Sequence, residues 1–170
     1  MGKGGQAWYL DLVAGMLIFI IGLVAYYHAN INISHDDIEG YGDLLRNADS
    51  IEAMLMTPGY PDGWNASTVE QIGVVDDHRL RPENWARFSG ISYNQSKSIF
   101  GTPYDFAAFV EEINGTVANV SGACAVGYPS VIVGCQNIDM GMVSYKSLAR
   151  KERYAFHDGR VVKLTVYLWR

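Results

Sequence analysis

Residues 12–27 (LVAGMLIFIIGLVAYY) contain no charged side chain and almost no polar one. A helix needs about 20 mostly apolar residues to cross roughly 30 Å of hydrocarbon. This run supplies 16, and Trp8, Tyr9 and Leu10 extend it on the far side of Asp11. Trp8 and Tyr9 before the run, and Tyr26 and Tyr27 at its exit, suit the aromatic belts of the two membrane interfaces. The segment therefore reads as a transmembrane helix. Lys3 and the terminal amine are the cations that precede it, and nothing basic follows until Arg46. The positive-inside bias then places the N-terminus in the cytoplasm and the remainder of the chain outside. Two other readings stay open. A secretory signal that is removed needs a small-x-small exit, and here Tyr26-Tyr27-His28-Ala29 stands at that place. A buried helix of a soluble protein has no need of the flanking aromatics.

Beyond the apolar run the charges are spread evenly. With 170 residues, the chain has room for one ordinary domain plus the anchor. A formal charge of −5 without a basic cluster argues against nucleic acid as a partner, since phosphate binding concentrates Lys and Arg. Ser34, followed by His35-Asp36-Asp37, reads as an N-cap with acids in the first turn. From there Ile38, Tyr41, Leu44, Leu45, Ala48, Ile51 and Leu55 recur at three and four, the spacing of an amphipathic helix that Thr57-Pro58-Gly59 stops. Residues 60–67 read as a turn-rich connection and 68–75 as the place of a short strand. Short helices are expected from Pro82 and over 92–99, with Trp85, Phe88 and Ile91 facing the core. Strands are expected over 104–113, 116–120, 131–133, 143–156 and 160–169, with hairpin turns at Asn114-Gly115 and His157-Asp158-Gly159. In the last strand Val162, Leu164, Val166 and Leu168 alternate with Lys163, Thr165, Tyr167 and Trp169, and the strand is expected to be paired. The expected fold class is α+β: a long N-terminal transmembrane helix, a helical segment, then a mainly antiparallel β-sheet ectodomain over 34–170.

The start of the chain, Lys3-Gly4-Gly5-Gln6-Ala7-Trp8-Tyr9-Leu10-Asp11, resembles the class III signal of archaeal type IV pilin-like proteins. That signal is a short basic leader, a Gly, often Gln next, then an acidic residue several positions into an apolar helix. The resemblance implies cleavage by a prepilin peptidase between Gly5 and Gln6, a leader over residues 1–5, and a retained pilin-like helix over 6–33. Glycines at the site suit it by keeping the backbone extended and accessible. A carboxylate in a membrane helix costs up to ~2.5–3.5 kcal/mol at the centre of the span and less near its end. In a filament of such subunits, Asp11 could be neutralised by the new amino terminus of a neighbour at Gln6; alternatively it sits at headgroup depth. Asp11 would be the sixth mature residue, whereas the best-known pilins carry Glu at the fifth. Gly15 and Gly22, one heptad apart, share a helix face that could admit a second helix, or reflect ordinary glycine use in a membrane helix.

Cys124 and Cys135 are the only cysteines, and outside the cytoplasm a lone pair reads as a disulfide. Asn32, Asn65, Asn94, Asn114 and Asn119 each open an Asn-x-Ser/Thr sequon and are candidate glycosylation sites, all beyond the apolar run. No Gly-x-Ser-x-Gly, His-Glu-x-x-His or P-loop motif is present. His35-Asp36-Asp37 and Asp76-Asp77-His78 offer carboxylates beside an imidazole. Neighbouring residues in a strand or helix do not share a face, so each reads more simply as a cap or polar turn. Neither catalytic residues, metal ligands nor a cofactor are expected. The function expected is that of a pilin-like structural subunit, contributing to assembly or adhesion, with the membrane, a prepilin peptidase and other pilin-like subunits as partners. The alternative is a single-pass anchored binding domain that does not polymerise.

Overall fold

An apolar run followed by an amphipathic one, with no proline between them, leaves helix propagation nothing to stop it, because each further residue adds one hydrogen bond. In the computed structural model, which describes residues 4–129, 135, 138 and 140–170, both runs form one helix, α1 (Gly4–Leu55). Its described side chains are those of residues 9–28 and 40–55. The N-cap expected at Ser34 is corrected: Ser34 lies inside α1, where its backbone groups are taken up by the helix. Gly4 and Gly5 are helical as well, not extended. The chain divides into two units, Met1–Tyr41 and Gly42–Arg170, so that α1 contributes to both.

The second unit carries the remaining elements: strands β1 (Val75–Asp76) and β2 (Arg79–Leu80), helices α2 (Pro82–Ser89) and α3 (Tyr93–Phe100), then strands β3 (Asp105–Glu112), β4 (Ala125–Gly127), β5 (Leu148–His157) and β6 (Arg160–Trp169). They form a six-stranded mixed sheet in the order β1-β2-β5-β6-β3-β4. One contact is parallel, Arg79 with Phe156 of β5, and the other pairings are antiparallel. β6 pairs along its length with both β5 and β3, which places it inside the sheet.

One sheet face builds the main core. Val162, Leu164, Val166 and Leu168 of β6 are buried, as the alternation predicts, level with Phe106, Ala108 and Val110 of β3. The last turns of α1 add Leu44, Ala48, Ile51 and Leu55 to the same cluster, each 0% exposed. On this face β5 presents Ala149 and Ala155, small enough to leave room for a helix, with Lys151 and Arg153 between them. Those two cations pair with Asp49 (2.6 Å) and with Glu52 of α1. Trp85, Phe88, Phe100 and Phe106 form an edge-to-face series with ring centroids 5.9, 5.8 and 5.2 Å apart, closing the core beside α2 and α3. The second face carries a smaller apolar cluster toward the end of β6, where Ala107 and Trp169 lie under Tyr128, Ile138, Met140 and Val143.

Several strand expectations shrink. Of residues 68–75, only Gln71, in a bridge to Tyr60, and Val75 pair as strand. The segment spends its amides on the end of α1 instead: Val74 N–H donates to Leu55 O (2.9 Å) and Val75 N–H to Thr57 O (3.1 Å). These bonds satisfy carbonyls that a helix C-terminus leaves open. The crossing is tight, since a Cβ on Gly73 would lie 2.3 Å from Thr57 O. Residues 116–120 return from the Asn114-Gly115 turn through bridges only, Val117 with Glu111 and Val120 with Ala123. β5 begins at Leu148, not 143, because Met140–Met142 forms a single 3₁₀ turn that covers Trp169. The strand expected over 131–133 lies outside the described residues.

Ile51 is fully buried in the main core, so Ile51→Ala is expected to lower stability by about 2–5 kcal/mol, read from the denaturant midpoint. A second prediction concerns Asp105. Burial raises its carboxyl, but hydrogen bonds from Lys97 Nζ (2.9 Å) and Tyr93 Oη (2.5 Å), with the lysine charge, outweigh that and hold it below the ordinary value. A depressed carboxylate contributes stability that is present above its unfolded pKa of about 3.9 and is lost as pH falls through the folded value. Asp105→Ala should therefore cost about 1 kcal/mol near neutral pH, discounted for partial exposure, and the difference from the parent should close in acid. Denaturant melts at a series of pH values read both.

Candidate functional site

Among the described residues, nothing is so unlike an ordinary globular surface as the apolar part of α1. Within α1, Tyr9–His28 is a 20-residue span, long and apolar enough to cross a membrane, and none of it is buried. At 1.5 Å rise per residue such a span covers ~30 Å. Ile18, Phe19 and Tyr26 are 71%, 68% and 72% exposed, values that water would make costly over a whole helix. Asp11 sits exposed in the third position of the span, at its N-terminal end, where a carboxylate is cheapest. A Cβ added at Gly15 or Gly22 would meet nothing within 4 Å. Gly4, Gly5 and Gln6 lie in the first turns of α1, with side-chain positions outside the described residues, as is Lys3 altogether. Asn32 and His35-Asp36-Asp37 also lie where only the helical backbone is described.

Cys124 and Cys135 form a disulfide with Cα atoms 5.1 Å apart. The four remaining sequon asparagines fall on two kinds of backbone. Asn65, Asn114 and Asn119 are exposed in turns, while Asn94 is exposed in the first turn of α3. The Asn65 Oδ1 accepts from Ser67 N–H (2.9 Å) and Ser67 Oγ–H (2.6 Å), and the Asn114 Oδ1 accepts from Thr116 N–H (2.9 Å). Asn119 Oδ1 accepts from Gly122 N–H (2.9 Å).

Asp76-Asp77-His78 is a turn. Asp77 and His78 have φ of 47° and 59° and join β1 to β2, the two-residue arrangement of a type I′ hairpin. Asp158 and Gly159, at 48° and 75°, do the same between β5 and β6. Asp76 accepts from Arg81 (2.5 Å), and no group of three or more His, Cys, Asp or Glu that could hold a metal occurs among the described residues.

Two features escape sequence reading. The first is an ion cluster on the second sheet face. Glu111 accepts from Lys163 Nζ (2.9 Å) and Thr165 Oγ1 (3.1 Å), and Arg150 lies between Glu111 and Glu152. The Glu111 bond holds the Lys163 ammonium above its ordinary pKa, and Arg150 also lies over the Tyr167 ring at 5.5 Å. The four charges come from β3, β5 and β6, so only the strand register brings them together; no spacing in the sequence signals it. The second is a cleft of about 850 Å³ at the turn end of the sheet, bordered by residues 112–114, 117–119, 157, 158 and 160–162. Ile113 stands 69% exposed on it, and Glu112 and Arg160 pair across it at 3.9 Å.

Comparison with protein-family models, with characterised proteins and with solved structures finds no match. The turn reading of Asp77-His78 has a direct test. Left-handed conformation costs a residue with a Cβ ~1–2 kcal/mol relative to glycine, so His78→Gly should raise thermal stability by about 1 kcal/mol. Unchanged or lowered stability would overturn the strained-turn reading.

Proposed function

We propose that this chain is a pilin-like structural subunit, held in the membrane by α1 and contributing to a surface filament or to its initiation. The observation that carries the reading is the fully exposed apolar span Tyr9–His28, preceded by Gly4-Gly5-Gln6 and holding a single acid, Asp11, near its start. A lone carboxylate at that depth gains most from a cation of another chain, and the amine freed at Gln6 would be such a cation. The span is retained under this reading because cleavage precedes it. The α+β domain that begins at Gly42 would lie outside the membrane on the side given by the positive-inside bias. The disulfide is consistent with that compartment. The parts of the domain that would face other subunits or an adhesion target are its exposed loops and turns.

The reading makes a two-part prediction. Protein from the native host should have an intact mass that starts at Gln6, and it should occur in filaments sheared from the cell surface. Asp11→Ala should still insert in the membrane and should drop out of the sheared fraction. A native mass that retains Met1 would sink the processing step. A detergent-extracted monomer that never enters the sheared fraction would leave an anchored, non-polymerising domain in its place.

A further inference from the structure

The sequons are equivalent as motifs but not as structures, and two of them, Asn114 and Asn119, stand on the rim of the cleft. An enzyme that modifies Asn must reach its Nδ2 and read the hydroxyl two residues on, which requires a bent, exposed chain. Asn94 fails on both counts: α3 puts residues i and i+2 on different faces, and Ser96 is 0% exposed, its hydroxyl donating to Ser92 O at 3.2 Å. Asn114 meets both. It sits exposed in the turn after β3, Thr116 N–H holds its Oδ1 at 2.9 Å, and Thr116 is itself exposed. Its Nδ2 has one long contact, 3.5 Å to Glu112 Oε2. Asn65 has the same turn geometry but does not border this cleft, and Asn119, which does border it, has its Oδ1 held by Gly122 N–H and not by the amide of its own sequon serine, Ser121.

The cleft beside Asn114 has a volume of about 850 Å³, within the ~300–1,000 Å³ that takes a compact organic ligand. Its border includes the apolar Ile113, Val117 and Val161 together with Asp158 and Arg160. Apolar surface edged by charged hydrogen-bonding groups suits a sugar, whose C–H face packs on the first and whose hydroxyls bond the second. We propose that Asn114 is N-glycosylated, that the first sugars of its glycan lie in this cleft, and that Asn94 stays bare. In the modification, Asn114 Nδ2 forms a bond to the anomeric carbon of a lipid-phosphate-linked saccharide. The bond from that carbon to the phosphate oxygen breaks, the lipid phosphate leaves with the electron pair, and the amide gives up one proton. The proposal rests on the outward placement of the domain.

The test uses the full chain from a host that glycosylates asparagine, by glycopeptide mass spectrometry and amide hydrogen exchange. Glycan mass is expected on the Asn114 peptide and none on the Asn94 peptide. Thr116→Ala should remove the Asn114 glycan and speed exchange several-fold at residues 113–118 and 160–162. The same variant and its parent, both from a host without the modification, should exchange alike at 160–162, which separates the effect of the sugar from that of the substitution. Removing the Asn65 glycan with Ser67→Ala should leave the cleft amides unchanged. A bare Asn114, a glycan on Asn94 at matching occupancy, or unchanged exchange once the Asn114 glycan is lost would each overturn the proposal. External protease on intact cells tells the failures apart. A bare Asn114 in a domain that protease reaches overturns this inference alone, whereas a domain that protease cannot reach overturns the outward placement as well.

Discussion

Everything in the domain that begins at Gly42 is arranged around the burial of one face of β6. Val162, Leu164, Val166 and Leu168 are 0–4% exposed, and each neighbouring element is shaped by what they require. β3 matches them with Phe106, Ala108 and Val110 in register, β5 with alanines, and α1 brings Leu44, Ala48, Ile51 and Leu55. The alanines of β5 are the less obvious requirement. A larger side chain at Ala149 or Ala155 would compete with the helix for space, since close-packed interiors feel even one added methylene.

The charges at that interface follow from the same geometry. Lys151 and Arg153 share the core-side face of β5 with the two alanines and would be stranded under a purely apolar helix. Asp49 and Glu52 of α1 meet them, and the carboxylate of Glu52 is almost completely buried while Arg153 stays 61% exposed. The exposed partner keeps its hydration, so the pair avoids the full desolvation cost of an ion pair buried on both sides. On the opposite face the Glu111, Lys163, Arg150 and Glu152 cluster needs no such help, because both acids find cations on neighbouring strands.

The sequence discloses this architecture where periodicity is long and unambiguous. The stripe Leu44, Ala48, Ile51 and Leu55, the alternation of β6, the turns at Asn114-Gly115 and Asp158-Gly159, and the cysteine pair could all be read from spacing or turn chemistry. Residues 68–75 misled because their β-favouring composition has a competing use: the amides of Val74 and Val75 close the carbonyl end of α1. Ser34 misled because a capping residue marks a helix start only when the preceding chain is not already helical. The exposed span Tyr9–His28 was fully legible, being a matter of composition and length. The cleft beside Asn114 was not, since it is made by a turn after β3 and a hairpin some forty residues later, which only the β3–β6 register brings side by side.

The order of the strands has a consequence for how the domain is made. β6 is the last strand in chain order yet lies inside the sheet, between β5 and β3. Until it arrives, β3 lacks its long partner and keeps only the three-residue contact with β4. The β3–β4 pair and β5 therefore join into one sheet only through β6. Pairing of distant segments closes large loops before it gains contacts, which makes such folding slow. Closure of the sheet thus waits on the C-terminal strand, and a chain cut short before Arg160 would leave β3 and β5 without the partner they share.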